Sequence, residues 1–128
     1  MKMHKKDLQK LNGIIKSITN ISKCFEQHKI ENSNNLKNDE IAQAACTQFI
    51  TNIYENKKKL QNETFNKLVE LNKIKIAGAR HIASHDYDSV NFIVIYSICN
   101  QLIQETILSE LRKVITETEE DESNENND

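Results

Sequence analysis

The sequence predicts an all-α fold: an antiparallel bundle of four main helices. Three observations lead there. The 128 residues include no proline and only two glycines, Gly13 and Gly78, whereas a sheet-rich fold of this size needs many turns, and turns draw on both residue types. Lys, Glu, Gln, Leu and Ile are abundant, a composition suited to long helices. Apolar residues also recur at spacings of three and four along most of the chain. The length fits one domain that can bury a core without disulfides or a structural metal. With few aromatics and no Trp, Leu and Ile must supply most of that core.

Helix 1 is expected over residues 5–27. Leu8, Leu11, Ile15, Ile18 and Phe25 form its apolar stripe, and Ile14 and Ile21 widen it. Residues 28–39 are polar and Asn-rich and read as a loop. Asn38 is the expected cap of helix 2, with Asp39 and Glu40 favourable in its first turn. Helix 2 carries Ile41, Ala45, Phe49, Ile53 and Leu60 inward, flanked by Cys46 and Ile50. Its alanines Ala42, Ala44 and Ala45 allow close approach of a neighbour. A break follows at 57–64. Helix 3 then carries Phe65, Leu68, Val69, Leu71, Ile74 and Ile76, with Gly78 late in it. Asp86 and Asp88 are caps for the next helix and predict a bend near His85. Helix 4 is expected over 89–116, with Val90, Ile93, Val94, Ile98, Leu102, Ile107, Leu111 and Val114 inward. Residues 92–96 are apolar on every side, which calls for more than one partner and hints at a subunit interface. The central helix of a monomeric bundle is the competing explanation. Residues 1–116 form the domain and 117–128 an acidic tail expected to be disordered.

Other features bound the class. Cys24, Cys46 and Cys99 are widely spaced and odd in number, which fits buried, reduced thiols better than a disulfide frame or a zinc site. No signal peptide or membrane span is legible, so the expectation is a cytoplasmic protein without membrane contact. The net charge of −2 hides an asymmetry. The tail holds seven acids and no base, leaving residues 1–116 with 12 acidic against 17 basic side chains, a charge of +5. A mildly basic body can approach a polyanion, although lysines also simply solvate helix faces. Only two of the bases are arginine, Arg80 and Arg112.

The segment with chemical potential runs from Arg80 through His81, His85 and Asp86 to Tyr87. Its residue types suit phosphodiester cleavage of RNA without a metal. His85 is the side chain best poised to move protons near neutral pH. Arg80 offers a planar fork to a phosphate gaining charge. Tyr87 can donate to a phosphate oxygen or position a nucleotide. The three converge if the helix stops near His85. One histidine is thin equipment for both acid and base steps, and a symmetric dimer would bring two copies of His85 to one cleft. The competing explanation is a polar corner in which Arg80, His85 and Tyr87 pair with Asp86 or Asp88. His81 points away from Arg80 on a helix, and His4 and His28 have no sequence partners and are expected to be exposed. His81 and His85 are the only pair at a metal-ligand spacing, without an accompanying Glu. No metal ion, cofactor or Gly-rich phosphate loop is called for.

The pattern Arg80-x-x-x-x-His85-x-Tyr87 resembles the R-x4-H-x-Y signature of the HepT toxins of the HEPN superfamily. Ile76, Ala77 and Gly78 lead into it, and Asp88 to Val90 and the apolar 92–94 follow. The helix order is similar too, so the resemblance spans residues 5–116. His81 departs from it, since many relatives carry a short polar residue there. The resemblance implies a ribonuclease toxin of a two-gene toxin–antitoxin system. It implies a homodimer whose composite, metal-independent site uses Arg80 and His85 as the catalytic pair on an RNA substrate. The implied antitoxin is an MNT-type minimal nucleotidyltransferase that transfers AMP onto Tyr87, placing a bulky anion where the substrate phosphate should sit. The alternative is a non-catalytic subunit that presents substrate to a nucleotidyltransferase; the intact Arg80/His85 pair favours the enzyme. A purely structural helical bundle is the third possibility.

Overall fold

The structure, a computed structural model, describes residues 2–76 and 89–126, with side chains from 6 to 76 and from 92 to 121. Regular structure among the described residues is entirely helical: α1 (Lys2–Gln27), α2 (Ser33–Lys37), α3 (Glu40–Lys58), α4 (Asn62–Lys67), α5 (Val69–Lys73), α6 (Ser89–Leu102) and α7 (Glu105–Asn126). The all-α expectation holds. The four longest of these helices are not the four outlined by periodicity, however. Over residues 62–76 the third expected helix is two short ones, and the fourth is divided in two.

α1 and α3 form the centre of the molecule. Asp7 meets Gln61 and Thr64, Gly13 meets Asn56, and Cys24 meets Cys46, so the two helices run antiparallel. A Cβ on Gly13 would come within 2.9 Å of the Asn56 amide, which marks a close approach between them. The buried stripe of α1 is Asp7, Leu11, Ile14, Ile18, Ile21 and Phe25. Leu8 and Ile15, expected inside, lie on its flank. On α3 the stripe is Ala42, Cys46, Ile50 and Ile53, while Ile41, also expected inside, is 71% exposed. Both shifts follow from a 3.6-residue period continued through a polar position, Asp7, and a small one, Ala42, which hydropathy alone undervalues.

The chain leaves α1 through a tight cap. Ile30 N–H donates to Phe25 O (2.8 Å), and Lys29 adopts φ 56°. This is a Schellman arrangement with the buried Ile30 as its apolar contact. Lysine in that left-handed position costs about 1 kcal/mol. Residues 28–39, read as a loop, contain α2. Asn32 caps it by accepting from Asn35 N–H, and Leu36 is wholly buried. Gln43 Nε2 donates to both Leu36 O and Lys37 O. The cap of α3 is Asp39, not Asn38. Asp39 has extended backbone and accepts from Ala42 N–H at 3.0 Å, whereas Asn38 closes α2. His28, expected to be free, has Nδ1 2.8 Å from Asp39 Oδ2.

α4 and α5 meet at Leu68, whose φ −86° and ψ 62° interrupt the helix. Neither has a side-chain cap of its own. Carboxylates from the long helices serve instead. The Asp7 carboxylate accepts from Thr64 Oγ1 (2.6 Å) and Gln61 N–H (3.3 Å). Glu110 Oε1 and Oε2 accept from Glu70 N–H (2.8 Å) and Leu71 N–H (3.0 Å).

α6 and α7 meet at a 54° bend. The buried face of α6 is Ile95, Ile98, Cys99 and Leu102, so Ile93 and Val94 are not inner positions: they are 56% and 44% exposed. A segment apolar on every side gives periodicity no phase to read. On α7, Ile107, Leu111 and Val114 are buried as expected, and Thr118 extends the stripe. α7 continues to Asn126, so residue 116 ends neither the helix nor the packing, and Glu117 pairs with Lys67 at 3.5 Å. The stretch expected to be a disordered tail is thus helical through residue 126, and Thr118, four residues after Val114, still faces the core.

The three cysteines are free and buried. They come from α1, α3 and α6 and meet, with Cys46 beside both Cys24 and Cys99. Burial, then Cys46, pushes the Cys24 thiol up to about 12. The hydrogen bond to Cys99, then burial, raises Cys46 as well. Such thiols stay protonated and unreactive in the folded chain. Among the described residues no single helix is long and apolar enough to cross a membrane.

Two predictions follow from the caps. Asp7→Ala leaves a buried hydroxyl and an N–H without their acceptor and should lower the unfolding free energy by about 2 kcal/mol; a urea titration giving less than about 0.5 kcal/mol would contradict the remote-cap role. The Asp39 carboxyl is held below its ordinary range by the Ala42 N–H and then by His28. Its stabilising effect is therefore present above the unfolded-chain pKa and is lost as pH falls through the lower folded value. Asp39→Asn, which can still cap, should show a smaller fall in Tm than the parent on acidification through that range; parallel Tm–pH curves would exclude the linkage.

Candidate functional site

The expected site residues Arg80, His85 and Tyr87, together with His81 and the caps Asp86 and Asp88, lie outside the described residues. The described chain fixes the two limbs that bracket them, ending at Ile76 and resuming at Ser89.

The first limb leaves α5 at Ile74, whose ψ of 122° turns the chain extended. Ile74 is buried while Lys73 and Lys75 are exposed. In extended backbone alternate residues face opposite ways, so the sequence Lys73–Ile74–Lys75 places one apolar anchor between two outward cations. The limb is braced by Glu110 on the α5 N–H groups and by Asn72 Nδ2 donating to Phe65 O at 2.9 Å.

The second limb is α6. Its Tyr96 ring stacks on Phe25 with centroids 5.5 Å apart, and Tyr96 Oη donates to Glu31 O at 2.9 Å. That contact ties α6 to the end of α1. Ile95, Ile98 and Cys99 hold its inner face in the core, each fully buried Ile contributing about 1.5–3 kcal/mol. The outer face leaves Ile93 and Val94 open.

Between the limbs lies an open groove of about 440 Å³, lined by Lys73, Lys75, Ile93, Val94, Ser97, Ile98 and Gln101. Gln101 Nε2 is engaged locally with Ser97 O and Oγ. Lys73 Nζ lies 2.6 Å from Glu70 Oε2, and the hydrogen bond and charge of that carboxylate raise the Lys73 pKa. Lys73 is thus firmly cationic. A second hollow, between α4/α5 and α7, is lined by Lys67, Val69, Glu110, Lys113, Val114 and Glu117. Its acids are already committed: Glu110 caps α5 and Glu117 pairs with Lys67. The second hollow is a seam of the fold, whereas the first groove opens beside the motif limbs.

Among the described residues no group of three His, Cys, Asp or Glu side chains is arranged to hold a metal ion. Sequence reasoning missed Lys73 and Lys75. They are two lysines in a lysine-rich chain, and only the helix breaks at Leu68 and Ile74, which periodicity did not register, turn them toward α6.

The all-helical architecture agrees with a comparison against protein families. The model of a family described as "Ribonuclease HepT-like" matches residues 11–118. That span includes both limbs, the groove and the whole of 77–88. Among curated proteins and among solved structures, no match was found.

Proposed function

Since this chain belongs to the HepT-like ribonuclease family, we propose that it is the toxin of a toxin–antitoxin pair, a metal-independent endoribonuclease whose catalytic groups are Arg80 and His85. The observation that carries this reading is a family match with an intact motif inside it. The family match runs across residues 11–118, and inside it stands Arg80-x-x-x-x-His85-x-Tyr87, an arginine, an imidazole and a phenol in a chain with only two arginines.

The proposed chemistry is displacement within RNA. The imidazole of His85 accepts the proton of the 2′-hydroxyl, whose oxygen then attacks the adjacent phosphorus. The Arg80 guanidinium neutralises the equatorial oxygens as negative charge builds. The leaving 5′-oxygen takes a proton from a second, protonated imidazole. A single chain brings only one His85, so the site is composite: a second copy supplies the acid. The exposed Ile93 and Val94 on α6, six and seven residues after Tyr87, support a twofold contact there, since exposed aliphatic neighbours favour burial.

Control falls to Tyr87. A nucleotidyltransferase antitoxin would direct the Tyr87 phenol oxygen onto the α-phosphorus of ATP, releasing pyrophosphate and the phenolic proton. The added AMP sets a fixed anion two residues from His85, which repels substrate phosphate and fills its place.

Two experiments test this reading. Arg80→Ala and His85→Ala should each lower cleavage of single-stranded RNA, assayed in excess EDTA, by about 10²- to 10⁴-fold, and induced cells should resume growth. Variants that cut RNA and arrest growth like the parent would rule out the pair. Incubation with ATP and the antitoxin should add one AMP, which intact-mass and peptide spectra place on Tyr87. Modification that persists in Tyr87→Phe would move the control point elsewhere.

A further inference from the structure

The two hollows differ in charge. The hollow along α7 sets Lys67 and Lys113 against Glu110 and Glu117. Among the described residues, the groove beside the motif limbs is lined by Lys73 and Lys75 and by no acidic residue. Although Lys73 is paired with Glu70, its side chain remains 69% exposed. Lys75 is exposed, and among the described residues it has no ion-pair partner. Ile74 anchors the extended chain between them.

We propose that Lys73 and Lys75 are substrate-positioning residues that hold consecutive phosphates of single-stranded RNA on the approach to the cleavage site. This rests on the ribonuclease reading above and adds where the strand runs. Lys75 stands five residues before Arg80, so a strand entering the proposed site from this side passes the groove. Residues 73 and 75 are about 6.6 Å apart along extended chain, close to the separation of successive phosphates along a strand. Ammonium groups act as point charges that grip phosphate without reading bases. Ser97 and Gln101, the other polar groups in the groove, are bonded to each other. The groove therefore binds backbone and tolerates sequence. Ile93 and Val94 form its opposite wall. If a second copy covers them, the lysines rim the composite cleft and the twofold axis supplies a matching pair on the other side.

The test is the salt dependence of cleavage by the full-length protein. Steady-state kinetics on a single-stranded RNA would be measured across a potassium chloride series for the parent, for Lys75→Gln, for the Lys73→Gln/Lys75→Gln pair, and for Lys113→Gln as control. In the double variant KM should rise about 10-fold with kcat nearly unchanged. The slope of log KM against log salt should fall by about 0.7 for each lysine removed. Lys113→Gln should leave both unchanged. Slopes equal to the parent's in both groove variants would overturn the proposal, as would a loss confined to kcat. Lys75→Gln guards against folding effects, because an exposed lysine on the extended limb leaves the core intact, and its Tm should match the parent's. A parent that cleaves RNA with groove variants of normal slope sinks the lysine role alone. A parent that does not cleave RNA sinks the ribonuclease reading, and the lysine role with it.

Discussion

The molecule depends on two carboxylates that reach from long helices to short ones. α4 and α5 have six and five residues, below the length at which a helix holds itself in water, and both begin without a local cap. Asp7, buried to 1% exposure on α1, accepts from the Gln61 N–H and the Thr64 hydroxyl at the start of α4, and Glu110 on α7 accepts from the Glu70 and Leu71 N–H groups of α5. Each anion sits at the positive end of a helix, where the macrodipole favours it. These bonds set where residues 61–76 run, and so where the chain departs toward the motif. The polar contacts thus aim the limb that carries Lys73, Ile74 and Lys75.

Packing supplies the counterpart on the other limb. α6 is seated by Ile95, Ile98, Cys99 and Leu102, while Tyr96 is pinned between Phe25 and the Glu31 carbonyl. The bend after Leu102 lets α6 and α7 choose their buried faces separately. α7 spends its apolar face on the core, and α6 divides its own between the core and an open outer surface. A continuous helix of that composition would have to bury or expose both faces along its whole length.

Helical class, the approximate limits of α1 and α3, the inner face of α7 and the reduced thiols were legible in the sequence, because each rests on a period or a composition. Register was legible only where polar residues mark the outside. Leu8, Ile15 and Ile41 were placed inside because the residues that mark the buried stripe beside them, an acid at Asp7 and a small residue at Ala42, carry little hydropathy, and Ile93 and Val94 because nothing polar adjoins them. The breaks at Leu68 and Ile103–Gln104 have no Gly or Pro to announce them; they are imposed by the distant Glu110 and by packing. His28 found its partner eleven residues on, across a turn that local spacing does not encode. Arg80, His85 and Tyr87 stood out because their chemistry is written in a short pattern. Lys73 and Lys75 did not, because their meaning comes from the wall they face.

The meeting of Cys24, Cys46 and Cys99 has a mechanical side. A thiol is small, and three of them occupy the point where α1, α3 and α6 come together. Cys46, in the middle, works as a shim whose thickness sets how far α6 stands off the α1/α3 pair. A bulkier residue there would tilt α6 outward, swing Ser89 with it and widen the groove mouth, while a smaller one would let the helix settle inward. The width of the groove between Lys75 and Ile93 can therefore change through the volume of one buried sulfur, with every residue that lines it left in place.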